Sequence, residues 1–392
     1  MAKKSRLPVV FTDETPTVES VLNERFDPVD FAVLEKDGMI FDEPFKGEPI
    51  SFLKDVWMRF RKNKTSIAAG IIILLIVFMA IVAPVVSPYL FTQIFPSWSR
   101  LPPRIPVLEN FGIADGCVEM SLQKRLLPEY EHAITKTIRE YIWQYRGQDI
   151  PMVTVRINQY KMVGADDYYF YFGTDIIGRD LWTRLWRGTR ISLIIGVVSV
   201  LINVMIGVTY GAICGYYGGK IDMLLQRVIE ILGGIPFLVL AILFVLFMGS
   251  GIMTFIFVLV ITGWIGMSRM IRAQFYRYKN QEYVLASRTM GSKDGRLIFF
   301  HILPNAIGPI ITQAMFAVPM AIFSEAFLSY IGLGIRAPEP SIGILLAEGQ
   351  KSLIYEPYML LFPAIVVSIL MLSFNMFSNG LRDAFDPRMR GL

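Results

Sequence analysis

The sequence predicts an all-α membrane protein with six transmembrane helices, an N-terminal interfacial helix and a small external α/β insertion. Three observations carry this. The 392 residues are 54% hydrophobic and only 18% charged, with a mean hydropathy of +0.48, outside the range of a soluble domain. The stretches 65–99 and 231–268 hold no charged residue. Lys and Arg gather beside the apolar runs, as at Arg59, Arg61, Lys62 and Lys64, or at Arg382, Arg388 and Arg390. The net charge of +5 therefore reads as cations at a membrane surface, and no nucleic-acid partner is expected.

Composition also narrows the chemistry. Cys117 and Cys214 make no metal or disulfide framework, and His132 and His301 are too few and too far apart for a metal site. The chain has no G-x-x-x-x-G-K-[ST] motif, so it does not bind ATP through a P-loop. No cofactor, metal or catalytic residue is expected in this chain.

Taken in order, residues 1–50 are polar, acidic and proline-rich, with no apolar core of a signal peptide, and read as a cytoplasmic N-terminal extension. In 51–64, Phe52, Leu53, Val56, Trp57 and Phe60 share one helix face between Lys and Arg residues, the pattern of an amphipathic helix lying in the membrane interface. Residues 65–88 hold the first span, about 20 residues from Ile67 for a hydrocarbon core of ~30 Å, with Pro84 and Pro88 at its exit. Basic residues before it put its start in the cytoplasm. Residues 89–189 are then an extracytoplasmic insertion. Leu122, Leu126, Tyr130, Ile134, Ile138 and Ile142 predict an amphipathic helix over 120–146, and Val153, Val155 and Ile157 alternate as in a strand. Arg184, Arg187 and Arg190 run against the charge rule at the second span, whereas charges farther out in a long loop carry little weight.

The core, 190–382, supplies five more spans: Ile191–Ala212, a third from Ile221 to Met248 kinked at Pro236, a fourth from Ile252 to Met270, a fifth from Ile307 to Ile331, and a sixth from Met359 to Leu381. Between the fifth and sixth, 341–346 is a partly apolar external piece of re-entrant or interfacial kind. A short tail, 383–392, returns to the cytoplasm, so both termini are cytoplasmic.

The loop at 276–306 is polar between two apolar spans. Ala286-Ser287 lets another surface approach a helix backbone. Gly291 can take the left-handed conformation that stops a helix. Ser292 is placed to cap a second helix, and Pro304 to limit it. One acid, Glu325, falls well inside a span, where it serves either the pathway or gate, or as a structural partner to a neighbouring Ser or Arg. His301 reads as a packing or hydrogen-bonding residue.

The loop resembles the EAA loop of ABC importer permeases, which docks on the ATPase subunit. Leu285 and Ser287 depart from its Glu-Ala-Ala, while Ala286, Gly291 and Leu303-Pro304 fit. Further stretches are similar to a narrower group: Phe172-Gly-Thr-Asp-Ile-Ile-Gly-Arg-Asp-Leu-Trp-Thr-Arg184, Gly215-Tyr-Tyr-Gly-Gly-Lys-Ile-Asp222, His301-Ile-Leu-Pro-Asn305, Glu325-Ala-Phe-Leu-Ser-Tyr-Ile-Gly-Leu-Gly334 and Leu381-Arg-Asp-Ala-Phe-Asp-Pro-Arg388. The chain resembles the C-type permease subunit of oligopeptide and dipeptide ABC importers, the binding-protein-dependent transport system inner membrane component.

That resemblance implies the type I importer permease fold and a place in the cytoplasmic membrane. It implies a heterodimer with a B-type permease, two cytoplasmic ATPase subunits that bind the ATP and Mg, and an extracytoplasmic peptide-binding protein. It also implies a docking loop carrying Glu282, Leu285, Ala286, Ser287, Arg288, Gly291, His301, Leu303 and Pro304. The 89–189 insertion and the N-terminal extension depart from the usual pattern of that family. Rival readings are a nickel or other small-solute importer on the same subunit, a secondary transporter, and a membrane-anchored receptor. The absence of intramembrane charge pairs and inverted repeats tells against the secondary transporter.

Overall fold

Asn63 separates the first two helices. The computed structural model describes residues 52–385, so the extension at 1–50 and the tail beyond 385 lie outside the described residues. Helix α1 (Phe52–Lys62) ends at Asn63, which takes an extended backbone and accepts a hydrogen bond from the Ser66 amide at 3.2 Å, capping α2 (Lys64–Val86). The amphipathic helix and the first span are thus two elements. Val56 and Phe60 of α1 are buried beside Phe377 and Ala384 of the last helix, with Phe60 edge-on to Phe377 at 5.3 Å, while Trp57 is exposed. The 23 residues of α2 reach about 35 Å, enough to cross a bilayer.

The 89–189 insertion is the main correction to the sequence reading. No helix runs over 120–146. Strands β1 (Cys117–Gln123), β2 (Ile134–Tyr145) and β3 (Gln148–Asn158) form an antiparallel sheet in the order β1-β3-β2, joined between β1 and β2 by short helical turns. A step of four residues returns a side chain to one face of a strand as well as nearly to one face of a helix, so the Leu122-to-Ile142 series fits both periods. The β-branched and aromatic run Ile134–Tyr145 settles on strand. The alternation at Val153, Val155 and Ile157 reads correctly: all three are buried, beside Ala133.

Helix α3 (Leu181–Tyr217) has 37 residues and runs well beyond the predicted second span at both ends. Asp180 caps it, accepting from the Thr183 amide at 2.8 Å. The third span is two helices rather than one kinked helix. Helices α4 (Gly219–Gly233) and α5 (Phe237–Met248) meet at a 76° bend, where Ile235 bonds only three residues back and Pro236 has no N–H for the hydrogen-bond ladder. Helix α6 (Ile252–Tyr278) lies along α3. A Cβ on Gly215 would fall 2.4 Å from the Phe275 Cβ and 2.8 Å from the Arg272 carbonyl oxygen, so a residue without a side chain is what lets the two backbones meet.

Helix α7 (Glu282–Thr289) follows. A helical path then continues from Asp294 through a π-helical turn (Leu297–Ile302) into α8 (Leu303–Leu328). Helix α9 (Ile342–Lys351) contains the expected 341–346 piece, but Ile342 and Leu345 are buried inside the bundle. Helix α10 (Tyr358–Phe385) closes the chain. Among the described residues, five helical stretches are long and apolar enough to cross a membrane, or up to six if the bent α4–α5 pair is one span.

Candidate functional site

The loop between α6 and α8 is anchored from beneath and open above. Val284 of α7 enters an apolar socket with Leu297, Ile302 and Ala306, completed by Tyr216 of α3 and Phe275 of α6, all buried. Three helix ends and the loop therefore share one small core. Polar contacts fix the fold over it. The Ser287 hydroxyl lies 2.9 Å from the Ser292 hydroxyl and 3.2 Å from His301 Nε2, tying α7 to the π-helical turn. Gly291 stops α7 at φ +83°, in the left-handed region.

Two sequence expectations fail here. Ser292 caps nothing, because its hydroxyl turns back to Ser287 and Lys293 is the extended residue before the next helical turn. Pro304 does not limit a helix. It sits in the first turn of α8, where its missing N–H is tolerated, and the wide turn at 297–302 carries the helical path past it.

What remains exposed is an apolar strip with a small residue in it. Tyr283, Leu285, Phe299 and Phe300 are exposed, as is Ala286, and Met290 is 88% exposed. Exposed apolar side chains of this kind suit a contact face. Glu282, in the first turn of α7, is also exposed and complements the helix dipole. Leu303 is half-buried against the socket, and Pro304 is exposed.

Beneath the strip, contacts that sequence reasoning missed tie the loop to α3. The Tyr216 hydroxyl donates to Asp294 Oδ1 at 2.6 Å, and the Arg288 guanidinium lies 5.7 Å from the Tyr216 ring. Arg272 donates twice to Asp222, at 2.6 Å each, and the Tyr276 hydroxyl donates to the same carboxylate at 2.8 Å. Lys279 donates to the Gly215 carbonyl oxygen at 2.9 Å. The ends of α3, α4 and α6 are thereby braced as one unit under α7.

Glu325 is not part of this loop. It lies wholly buried in α8, its Oε2 accepting from Ser192 at 2.7 Å and its Oε1 from Ser329 at 2.8 Å. Each serine is fed in turn. The Ile342 amide donates to Ser192 at 3.4 Å. Ser341 donates to Ser329 at 3.4 Å while accepting from the Ile344 amide at 3.4 Å. Two relays thus run from the N-terminal amides of α9 to the two carboxylate oxygens, so the helix end compensates the carboxylate. Of the two readings of Glu325, partnership with neighbouring serines is the one this geometry matches.

The far end of α9 is also fastened. Glu348 accepts from Arg184 of α3 at 2.8 and 3.2 Å, and Arg184 donates to the fully buried Asp175 at 2.5 Å. Arg179 shares both carboxylates, and Arg187 pairs twice with Glu339. Arg184 and Arg187 puzzled the charge rule at the second span. They are structural cations facing acids that lie some 150 residues away in sequence. Among the described residues, no group of three or more His, Cys, Asp and Glu could hold a metal ion.

Comparison with known proteins agrees with this architecture. The family described as binding-protein-dependent transport system inner membrane component matches residues 207–391, and the N-terminal transmembrane domain of oligopeptide transport permease C matches residues 51–103. The dipeptide transport system permease protein DppC of Bacillus subtilis is 36% identical over 364 residues, 93% of this chain and 94% of the relative. The oligopeptide transport system permease protein OppC of the same organism is 37% identical over 348 residues, 89% of this chain and 93% of the relative. OppC of Escherichia coli K12 is 37% identical but matches only 56% of this chain, and 73% of its own length.

Proposed function

The chain belongs to the inner-membrane-component family of binding-protein-dependent transport systems, and on that premise we propose that it is the C-type permease subunit of an oligopeptide or dipeptide ABC importer. It pairs with a B-type permease, takes peptide from an extracytoplasmic binding protein, and is driven by ATP and Mg bound in two cytoplasmic ATPase subunits. The chain itself supplies the path and the lever. One observation carries the role of the loop: an exposed apolar strip around Ala286, built on a socket that joins α3, α6 and α8. An ATPase seated there would move three helix ends together. The bent α4–α5 pair counts as a span, giving six, with both termini and this loop in the cytoplasm.

Ala286→Trp tests the docking role. The residue is exposed, so a bulky side chain leaves the socket intact while holding a partner surface off. Loss of a close contact at an interface hot spot costs about 2–4 kcal/mol, roughly 30- to 1,000-fold in affinity. Normal membrane levels with lost co-purification of the ATPases and lost peptide uptake are expected. Parental uptake by this variant would remove 276–306 as the docking element.

Orientation has its own test. Cys117 is half-buried at the start of β1, and burial pushes its thiol above the usual range, so a membrane-impermeant maleimide should label it on intact cells or spheroplasts faster as the medium turns alkaline. Cys214 is wholly buried and reports neither side. Labelling of Cys117 only after the membrane is opened would reverse the topology.

A further inference from the structure

A cavity of about 420 Å³ lies where α2 ends and the insertion begins, a volume in the range of small-molecule sites. Its floor is the last two turns of α2: Met79, Val82, Ala83 and Val86. Its upper wall is aromatic, from Tyr89, Tyr169, Tyr171 and Trp182. Two acids, Asp167 and Asp180, complete the lining, which among the described residues holds no Lys, Arg or His. The site is therefore greasy at one end, and aromatic and acidic at the other.

Its position selects the occupant. The neighbouring face of α2 exposes Phe78, Ile81 and Val85, as expected of a helix against lipid, and the cavity sits at that helix's end, level with the membrane boundary. A ligand reaching this place from the bilayer brings an acyl chain for the α2 floor. The far wall asks for a cation: aromatic faces and carboxylates together attract an ammonium group. Ser87 also faces this lining, its hydroxyl 2.6 Å from that of Thr183.

We propose that this cavity binds a phospholipid whose headgroup ends in an ammonium group, with its acyl chain along α2 and its headgroup among Tyr169, Tyr171, Trp182 and the two aspartates. The lipid would fasten the insertion to the first span at the outer surface. Asp180 is buried, and that burial pushes its carboxyl above the usual range despite the hydrogen bonds from Thr183, so a nearby cation would be welcome there.

The test is native mass spectrometry of the full complex, released from membranes containing equal amounts of phosphatidylethanolamine, phosphatidylcholine and phosphatidylglycerol. The first two should be retained over the third by roughly 2- to 30-fold, the range for one or two partly desolvated cation contacts. Asp167→Asn, at an exposed position, should reduce that preference. Asp180→Asn should reduce it further, because Asn keeps the helix cap and removes only the charge. Ala83→Trp, which fills the apolar floor, should lose the retained lipid whatever its headgroup. Soluble ethanolamine should fail to displace it. Equal retention of phosphatidylglycerol, an unchanged preference in both Asn variants, or unchanged retention in Ala83→Trp would overturn the proposal. Displacement by soluble ethanolamine would show a site for a small amine and overturn it equally.

Discussion

The two ends of α3 are held by different chemistry. At its N-terminal end, the outer one on the proposed topology, Arg184 is 2% exposed and meets the buried Asp175 and the partly exposed Glu348, acids it shares with Arg179. At its inner end, Tyr216 rests in an apolar socket and makes one hydrogen bond to an exposed acid, Asp294. A buried ion pair is costly to assemble and costlier to break by halves, because the remaining charge is stranded. An apolar socket is non-directional and tolerates small displacements of its members. The outer end is therefore locked to α9, while the inner end rests on a socket whose members can shift.

The largest expected effect comes from breaking the locked end. Arg184→Met removes one of the two cations in the cluster and leaves Arg179 alone against the buried Asp175 and Glu348. A buried charge left wholly unpaired costs about 3–5 kcal/mol, and this half-broken cluster should approach that. Thermal melting of the purified complex should show a strongly destabilised permease, or membranes should hold little of it. Adding Asp175→Asn to that variant should restore part of the loss, since Arg179 then has only Glu348 to balance. An Arg184→Met protein that melts with the parent would mean that the ion cluster does not lock this end.

Less should be lost at the seam where α3 meets α6 beside that inner end. A Cβ on Gly215 would sit 2.4 Å from the Phe275 Cβ, so Gly215→Val forces α3 and α6 apart. Overpacking of this kind costs about 1–3 kcal/mol. The displaced Phe275 belongs to the socket beneath α7, so the variant should also weaken ATPase co-purification, and in proportion to its drop in melting temperature. A full loss of stability with undisturbed ATPase binding would separate seam from socket and contradict the continuity drawn between them.

The contrast between these regions also explains what the sequence revealed. The spans were legible because apolar runs of bilayer length have few alternatives. The turn after α7 was legible through Gly291, which takes the left-handed conformation expected of it, whereas Ser292 and Pro304 were misread. The ion cluster was not legible, because Arg184 and Glu348 are 164 positions apart and only the fold brings them together. The socket escaped for the same reason: Val284, Tyr216 and Phe275 look like ordinary apolar positions until three helix ends converge. The third span read as one kinked helix because its apolar run shows no gap, yet it bends by 76° at Ile235 and Pro236. In the insertion, the four-residue step hid a strand behind a helix-like period, whereas the strict two-residue step of β3 left no second reading.

The smallest expected effect is the most discriminating. Tyr216→Phe removes one hydroxyl and leaves the ring in its socket. Its partner Asp294 is exposed and regains water, so no buried group is left unsatisfied. The cost should be about 1 kcal/mol or less. Melting temperature, membrane level and ATPase co-purification should stay near the parent's. What the hydroxyl does supply is direction, a short link between the segment after α7 and the end of α3. Without it, a push on the loop should pass less completely to the 37-residue helix. Peptide taken up per ATP hydrolysed should therefore fall by a few-fold while binding of the ATPases does not. Asp294→Asn keeps an acceptor oxygen for the hydroxyl and should fall less. If Tyr216→Phe instead destabilises the complex as much as Arg184→Met, the inner end is as rigidly locked as the outer, and the contrast drawn between them fails.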